Sequence, residues 1–324
     1  MRIVFIAGLI TCLLAGTANT RTWRVRQDGT GDTIYLAYAL YYAEDGDTIL
    51  VGPGLYKQPT INLGAVHLIS EAGPESSILE LLPIIAEVDV HVILIDKISS
   101  CSVIGFTIRG ATGGWLSLGG GIDCINSSAI IKNNVITDNW CASGGGIACY
   151  GSPAIIIENN LICGNSAFSG GGILIDHCSP TIRGNTIVDN YASVLGGGIY
   201  MVGISSYPAI SNNIISNNGG YASGGIMSSV PSSQVTFTCN DVWNNTPSNY
   251  CDSLTDQTGM NGNISSDPQF CGVPGSGNFY LQGSSPCAAP CGEAIIGCCG
   301  VKCTVAVKNK SWGEIKSLFK GDKR

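Results

Sequence analysis

The chain has 324 residues, of which 44 are Gly, 16 are basic and 23 are acidic, for a net charge of −7. Glycine at nearly twice its usual share excludes a mainly helical protein, because each mid-helix Gly costs about 1 kcal/mol against Ala. An apolar share of 44% excludes a disordered chain, the lack of a Gly-X-Y period excludes collagen, and the acidic balance argues against nucleic acid as a partner.

Met1-Arg2 is followed by an apolar run from Ile3 to Ala15 and by small residues at Gly16-Thr17-Ala18. Residues 1–18 read as a secretory signal peptide, since the run is short for a bilayer span. No later stretch has eighteen consecutive apolar residues, so no transmembrane segment is expected. The expected location is extracellular, secreted or at the cell surface. Cys12 leaves with the signal, and 14 of the 15 Cys remain. An even number in an exported chain points to disulfides.

Thr33-Ile34-Tyr35-Leu36-Ala37-Tyr38-Ala39-Leu40-Tyr41-Tyr42-Ala43 can form a helix. Asp45-Gly46-Asp47-Thr48-Ile49-Leu50-Val51 reads as turn and strand, and Gly52-Pro53-Gly54-Leu55-Tyr56 as a further turn. From about residue 105 to 245 the chain repeats. Gly119-Gly120-Gly121-Ile122 recurs at Gly144–Ile147, Gly170–Ile173 and Gly196–Ile199, and weakly at Gly224–Ile226, with the Ile positions 25, 26, 26 and 27 residues apart. A second phrase keeps step: Asn133–Asn139, Asn159–Asn165, Gly184–Asn190, Asn212–Asn218 and Asn240–Asn245.

Two phrases locked at one period signal a solenoid. Each copy holds only short β-branched runs, which excludes helical repeats, and it is too short for a propeller blade. Leu is too sparse for leucine-rich repeats. The expected fold class is all-β, a right-handed parallel β-helix with three short strands per turn. Turns should stack about 4.8 Å apart. Ile136, Ile162, Ile187, Ile215 and Val242 should form an inward apolar ladder. Asn134, Asn160, Asn185, Asn213 and Asn240 should form an amide ladder at a bend, in left-handed backbone. The Gly triplets should permit a bend or close backbone approach.

The DGDTI and PG-Y phrases after an opening helix resemble the pectin-lyase-like superfamily of secreted right-handed β-helix proteins. The resemblance runs from about Trp23 to about Cys303. Ser266–Phe270 and Leu281–Cys287 are similar to closing phrases of bacterial members. It implies a helix over the N-terminal end, and catalysis on acidic polysaccharides by lyase or hydrolase motifs. Neither motif set is present: there is no Asp-Asp, His-Gly or Arg-x-Lys, and Asn185-Thr186 is followed by Ile187. Residues 19–301 carry 8 basic against 21 acidic residues, which disfavours an anionic chain.

Asp138 and Asp189 hold equivalent positions two turns apart, about 9–10 Å along the stack. That spacing lies near the upper end for an inverting glycosidase; the alternative is that both cap turns. Asp176-His177 reads as a surface turn. Lys132, Glu158 and Arg183 should stack as a charge ladder or binding patch. The loops before the Gly motifs each carry an aromatic, Trp115, Trp140, Phe168, Tyr191 and Tyr221, able to stack on sugar rings or to shield the loop bases. No His-rich or Asp-rich spacing suggests a metal, and no cofactor is expected.

Cys124 and Cys149 should be neighbours on adjacent turns. Cys271, Cys287, Cys291, Cys298, Cys299 and Cys303 read as staples of a Cys-rich C-terminal cap, residues 246–303. Residues 304–324 form a basic amphipathic tail, with Trp312, Ile315, Leu318 and Phe319 as its apolar stripe, suited to a sorting or surface partner. The functional expectation is a secreted or cell-surface β-helix, 19–303, with a non-catalytic role in glycan binding or envelope structure. The alternative is a polysaccharide lyase or glycoside hydrolase using Asp138 and Asp189.

Overall fold

The computed structural model describes residues 20–83, 90–114, 117–272, 278–288, 291 and 295–303. The expected signal peptide, the expected basic tail and Trp115 lie outside them. The chain winds into a right-handed parallel β-helix. Three sheets run its length, with nine, eight and eight strands, and every pairing within them is parallel. The register is that of the repeats: Ile122 stands beside Ile147, then Ile173, Ile199 and Ile226.

Side chains alternate in and out along each short strand. Ile136, Ile162, Ile187, Ile215 and Val242 point inward, stack turn on turn and are fully buried. They form one core with Ile131, Ile157, Ile182 and Ile210 from the first sheet and Ile147, Ile173 and Ile199 from the third.

The Asn ladder runs from Asn134 through Asn160, Asn185, Asn213 and Asn240, and continues to Asn263. Each amide donates to the next Asn and to a backbone carbonyl of the preceding turn, as Asn160 does to Ile131. The left-handed backbone is not at these Asn. It lies one residue earlier, at Asn133, Asn159, Gly184, Asn212 and Cys239. The ladder Asn points inward to reach carbonyls, and the residue before it takes the corner. A second ladder joins Asn139, Asn165, Asn190, Asn218, Asn245 and Asn249.

Two roles emerge within the Gly triplets. The first Gly of each turns the chain in left-handed backbone, with φ of +60° at Gly119 and +65° at Gly170. The third lies against the next turn: a Cβ on Gly172 would stand 2.6 Å from the Gly198 carbonyl oxygen. The segments before the triplets are strands rather than loops. Trp140–Ser143, Ser166–Ser169, Tyr191–Leu195 and Gly219–Gly220 pair as a fourth sheet, so the middle turns carry four strands and not three.

The N-terminal helix is shorter than its sequence allows, Leu36–Tyr42, because Tyr35 and Ala43 are extended. Leu36 and Ala39 are buried against the first turn, and Tyr35, Tyr38, Tyr41 and Tyr42 face outward. At the other end the Cys-rich segment does more than close the coil. It runs back over the outer face of the second sheet, where Leu281, Cys287 and Ile296 bury Ile214. The Gly297 amide donates to Asn212 O at 2.8 Å, and the Cys298 amide to Thr186 Oγ1 at 3.2 Å. Disulfides Cys239–Cys291 and Cys271–Cys303 fasten it. Cys287, Cys298 and Cys299 are free thiols, as are the register neighbours Cys124 and Cys149.

Candidate functional site

Trp140, Ser166, Tyr191 and Gly219 share one column of the fourth sheet. The Tyr191 ring lies over the next turn's backbone, where a Cβ on Gly219 would stand 3.2 Å from Tyr191 Cδ2. Tyr191 is 53% exposed and Tyr221 82% exposed. The Tyr221 amide donates to Ala192 O, which holds Tyr221 beside the Tyr191 turn. Trp140 and Phe168 are half-buried and meet edge to face at 6.0 Å between centroids. Four of the five expected aromatics thus lie on this edge. One pair is packed on itself, and Tyr191 and Tyr221 offer ring surface to solvent.

Asp138 and Asp189 both occupy left-handed corners, with φ of +54° and +56°. Gly164 takes the same corner in the turn between them, and Asn217 and Asn244 continue the column. The fold-back gives the two carboxylates different surroundings. Asp189 lines a cleft of about 290 Å³ together with Asn217, Asn244, Trp243, Phe279 and Asp267, while Asp138 is not part of its lining. Asp189 is exposed at the cleft, its carboxylate makes no hydrogen bond or ion pair among the described residues, and the protein packed around it raises its carboxyl from the ordinary value. Asp267 Oδ1 accepts the Gln269 amide at 2.9 Å. Sequence spacing pairs Asp189 with Asp138; the cleft instead brings it Asp267, from the segment that folds back.

A second cleft, of about 470 Å³, follows the opposite margin of the same segment, between Asn133 and Asn159 on the coil and Tyr280, Cys298 and Cys299 on the fold-back. Cys298 Sγ and Cys299 Sγ are 3.1 Å apart there. The charge ladder is a closed structural unit: Glu158 receives Lys132 Nζ and Arg183 Nη2, each at 3.3 Å. His177 sits at an exposed corner with its ring nitrogen on the Asp176 carboxylate, a surface turn. No helix among the described residues is long and apolar enough to cross a membrane.

A family model described as the right handed beta helix region matches residues 91–269. The chain belongs to the right-handed β-helix family. Among solved structures this β-helix is similar to a pectin methylesterase in complex with hexasaccharide VII, at 14% identity over 73% of this chain and 81% of that one, with a TM-score of 0.44. A pectin methylesterase mutant in complex with hexasaccharide IV gives 15% identity over 68% and 70%, with a TM-score of 0.35. No curated protein matches the β-helix chain in sequence.

Proposed function

We propose that this β-helix is a secreted or cell-surface protein that binds glycan without catalysis, through the aromatic edge of its fourth sheet. The observation that carries the reading is the exposure of Tyr191 and Tyr221 on one edge of a rigid coil. An aromatic face held on a β-sheet stacks on the apolar face of a sugar ring with little ordering cost, and the phenol hydroxyl remains free to bond. Trp140 in the same column backs the edge.

The test is retention on insoluble polysaccharides. The wild-type protein is retained, and Tyr191→Ala with Tyr221→Ala removes most of the retention while leaving the β-sheet circular dichroism intact. Unchanged retention in the double variant overturns the reading. Reducing ends or unsaturated sugars released by the purified protein, and lost in Asp189→Asn, would establish the hydrolase or lyase alternative in its place.

A further inference from the structure

We propose that the cleft between the fold-back and the Asp189 corner is a second carbohydrate subsite, selective for amine-bearing sugars. The proposal rests on the glycan-binding reading and deepens it. Three features of the cleft point the same way.

The first is charge. Asp189 and Asp267 face the cleft, and none of its described lining residues is Lys or Arg. Asp189 is exposed at the cleft and has no ion-pair partner among the described residues, and the protein around it raises its carboxyl. Two accessible carboxylates lining one cleft with no counter-charge among its described residues are complementary to an ammonium group. The coil's excess of acidic residues adds a long-range pull of the same sign.

The second is amide content. Asn217, Asn244 and Gln269 line the cleft, and several of their positions are fixed by internal bonds: Asn244 Nδ2 donates to Asn217 Oδ1 at 2.8 Å, and Gln269 Oε1 accepts from Ser284 Oγ at 2.7 Å. Asn217 Nδ2 and Asn244 Oδ1 are left to bond hydroxyls as donor and acceptor. The third is the aromatic wall. Trp243 lies beside Asn244, and Phe279 packs edge to face with Phe270 at 5.2 Å. Sugars combine an apolar ring face with a rim of hydroxyls, and an amino sugar adds a cation. An indole face, fixed amides and an unpaired carboxylate match those three parts. A volume near 290 Å³ is at the small end of ligand pockets and suits a chain end.

The experiment is calorimetric titration of the full chain, at low ionic strength, with a fully deacetylated glucosamine tetrasaccharide, its N-acetylated counterpart and a galacturonate tetrasaccharide. The deacetylated sugar is expected to bind at least about tenfold more tightly than the N-acetylated one, with the galacturonate undetectable. Asp189→Asn keeps a residue type that tolerates the left-handed corner, so the backbone is preserved. It should weaken the deacetylated sugar by about tenfold or more, Trp243→Ala should weaken both glucosamine forms, and Tyr191→Ala should change neither. Equal affinity for the acetylated and deacetylated sugars, or wild-type affinity in Asp189→Asn, overturns the proposal. Retention on polysaccharide that depends on Tyr191 while the cleft variants bind normally would sink this subsite alone. Failure of every glycan to bind would sink both readings.

Discussion

Asn160 donates its side-chain amide to Asn185 Oδ1 at 3.0 Å, and its own Oδ1 accepts both the backbone and the side-chain amide of Asn134, at 2.9 and 3.1 Å. One fully buried residue therefore satisfies groups on both neighbouring turns and ties three successive turns together. Asn160→Ala leaves the Asn134 backbone amide and one of its two side-chain N–H groups without an acceptor in the interior, the other keeping Val103 O, and removes a donor to the Ile131 carbonyl. The expected cost is about 2–4 kcal/mol, read as a lower midpoint in chemical denaturation. Asn160→Asp should be at least as damaging, because a carboxylate cannot donate to Ile131 O or Asn185 Oδ1.

Gly172→Ala tests the close approach of turns. The new methyl group would meet the Gly198 carbonyl oxygen at 2.6 Å and Ile187 Cγ2 at 3.0 Å. The carbonyl is held in the ladder and cannot retreat without breaking its own bond. A loss of about 2 kcal/mol or more is expected. Gly283→Ala, where a Cβ meets nothing within 4 Å, should change stability little and serves as the control.

Asp241 gives the fold a pH dependence of unusual sign. It is buried beneath the fold-back, and burial pushes its carboxyl up to about 6, although it accepts the Ser266 amide at 3.0 Å and Cys287 Sγ at 3.1 Å. A carboxyl raised above its unfolded value binds its proton more tightly when folded. Its contribution is present in acid and is lost as pH rises through about 6. Thermal stability should therefore fall between about pH 4 and pH 6.5, by an amount on the order of 2 kcal/mol. Asp241→Asn should flatten that fall and raise the melting temperature at neutral pH. An unchanged pH profile would show that Asp241 is not its source.

The fold-back should come off before the coil unfolds. Cys239–Cys291 closes a loop of 52 residues, for which chain entropy gives about 4 kcal/mol. Under mild reduction, limited proteolysis should trim residues 270–303 and leave a resistant fragment ending near residue 263. Loss of the coil and the fold-back together, at one rate, would mean that they form a single cooperative unit.

The period, the inward Ile column and the first Asn ladder are legible in the sequence, because a stacked coil repeats the same physical demand every turn. Asn139, Asn165, Asn190, Asn218 and Asn245 recur as regularly, yet they close the same phrase as the first ladder and read as its continuation. The fourth sheet is hidden because its strands, such as Cys141-Ala142-Ser143, carry small residues with no β-branched alternation. A trace of the fold-back exists in Val135-Ile136, Leu161-Ile162 and Ile214-Ile215. Two adjacent apolar residues on so short a strand mean that both faces are covered: the inner by the core, and the outer, at Ile214, by Leu281 and Ile296, while Val135 and Leu161 stay half-buried in the cleft beside Tyr280 and Cys298. That Asp189 and Asp267 line one cleft leaves no such trace, because it depends on where a segment some 80 residues downstream comes to rest.

The two amide chains have a direction and two ends. One begins where the Phe106 backbone amide donates to Asn134 Oδ1 and finishes where Asn263 donates to the Met260 and Phe237 carbonyls. The other begins at the Ala111 amide and finishes at the Ser265 hydroxyl. A whole repeat inserted between the ends would lengthen each chain by one member and orphan no group. A partial repeat would break both at once. Length is therefore a free variable of this coil in steps of one turn, and its terminal groups alone decide where the counting stops.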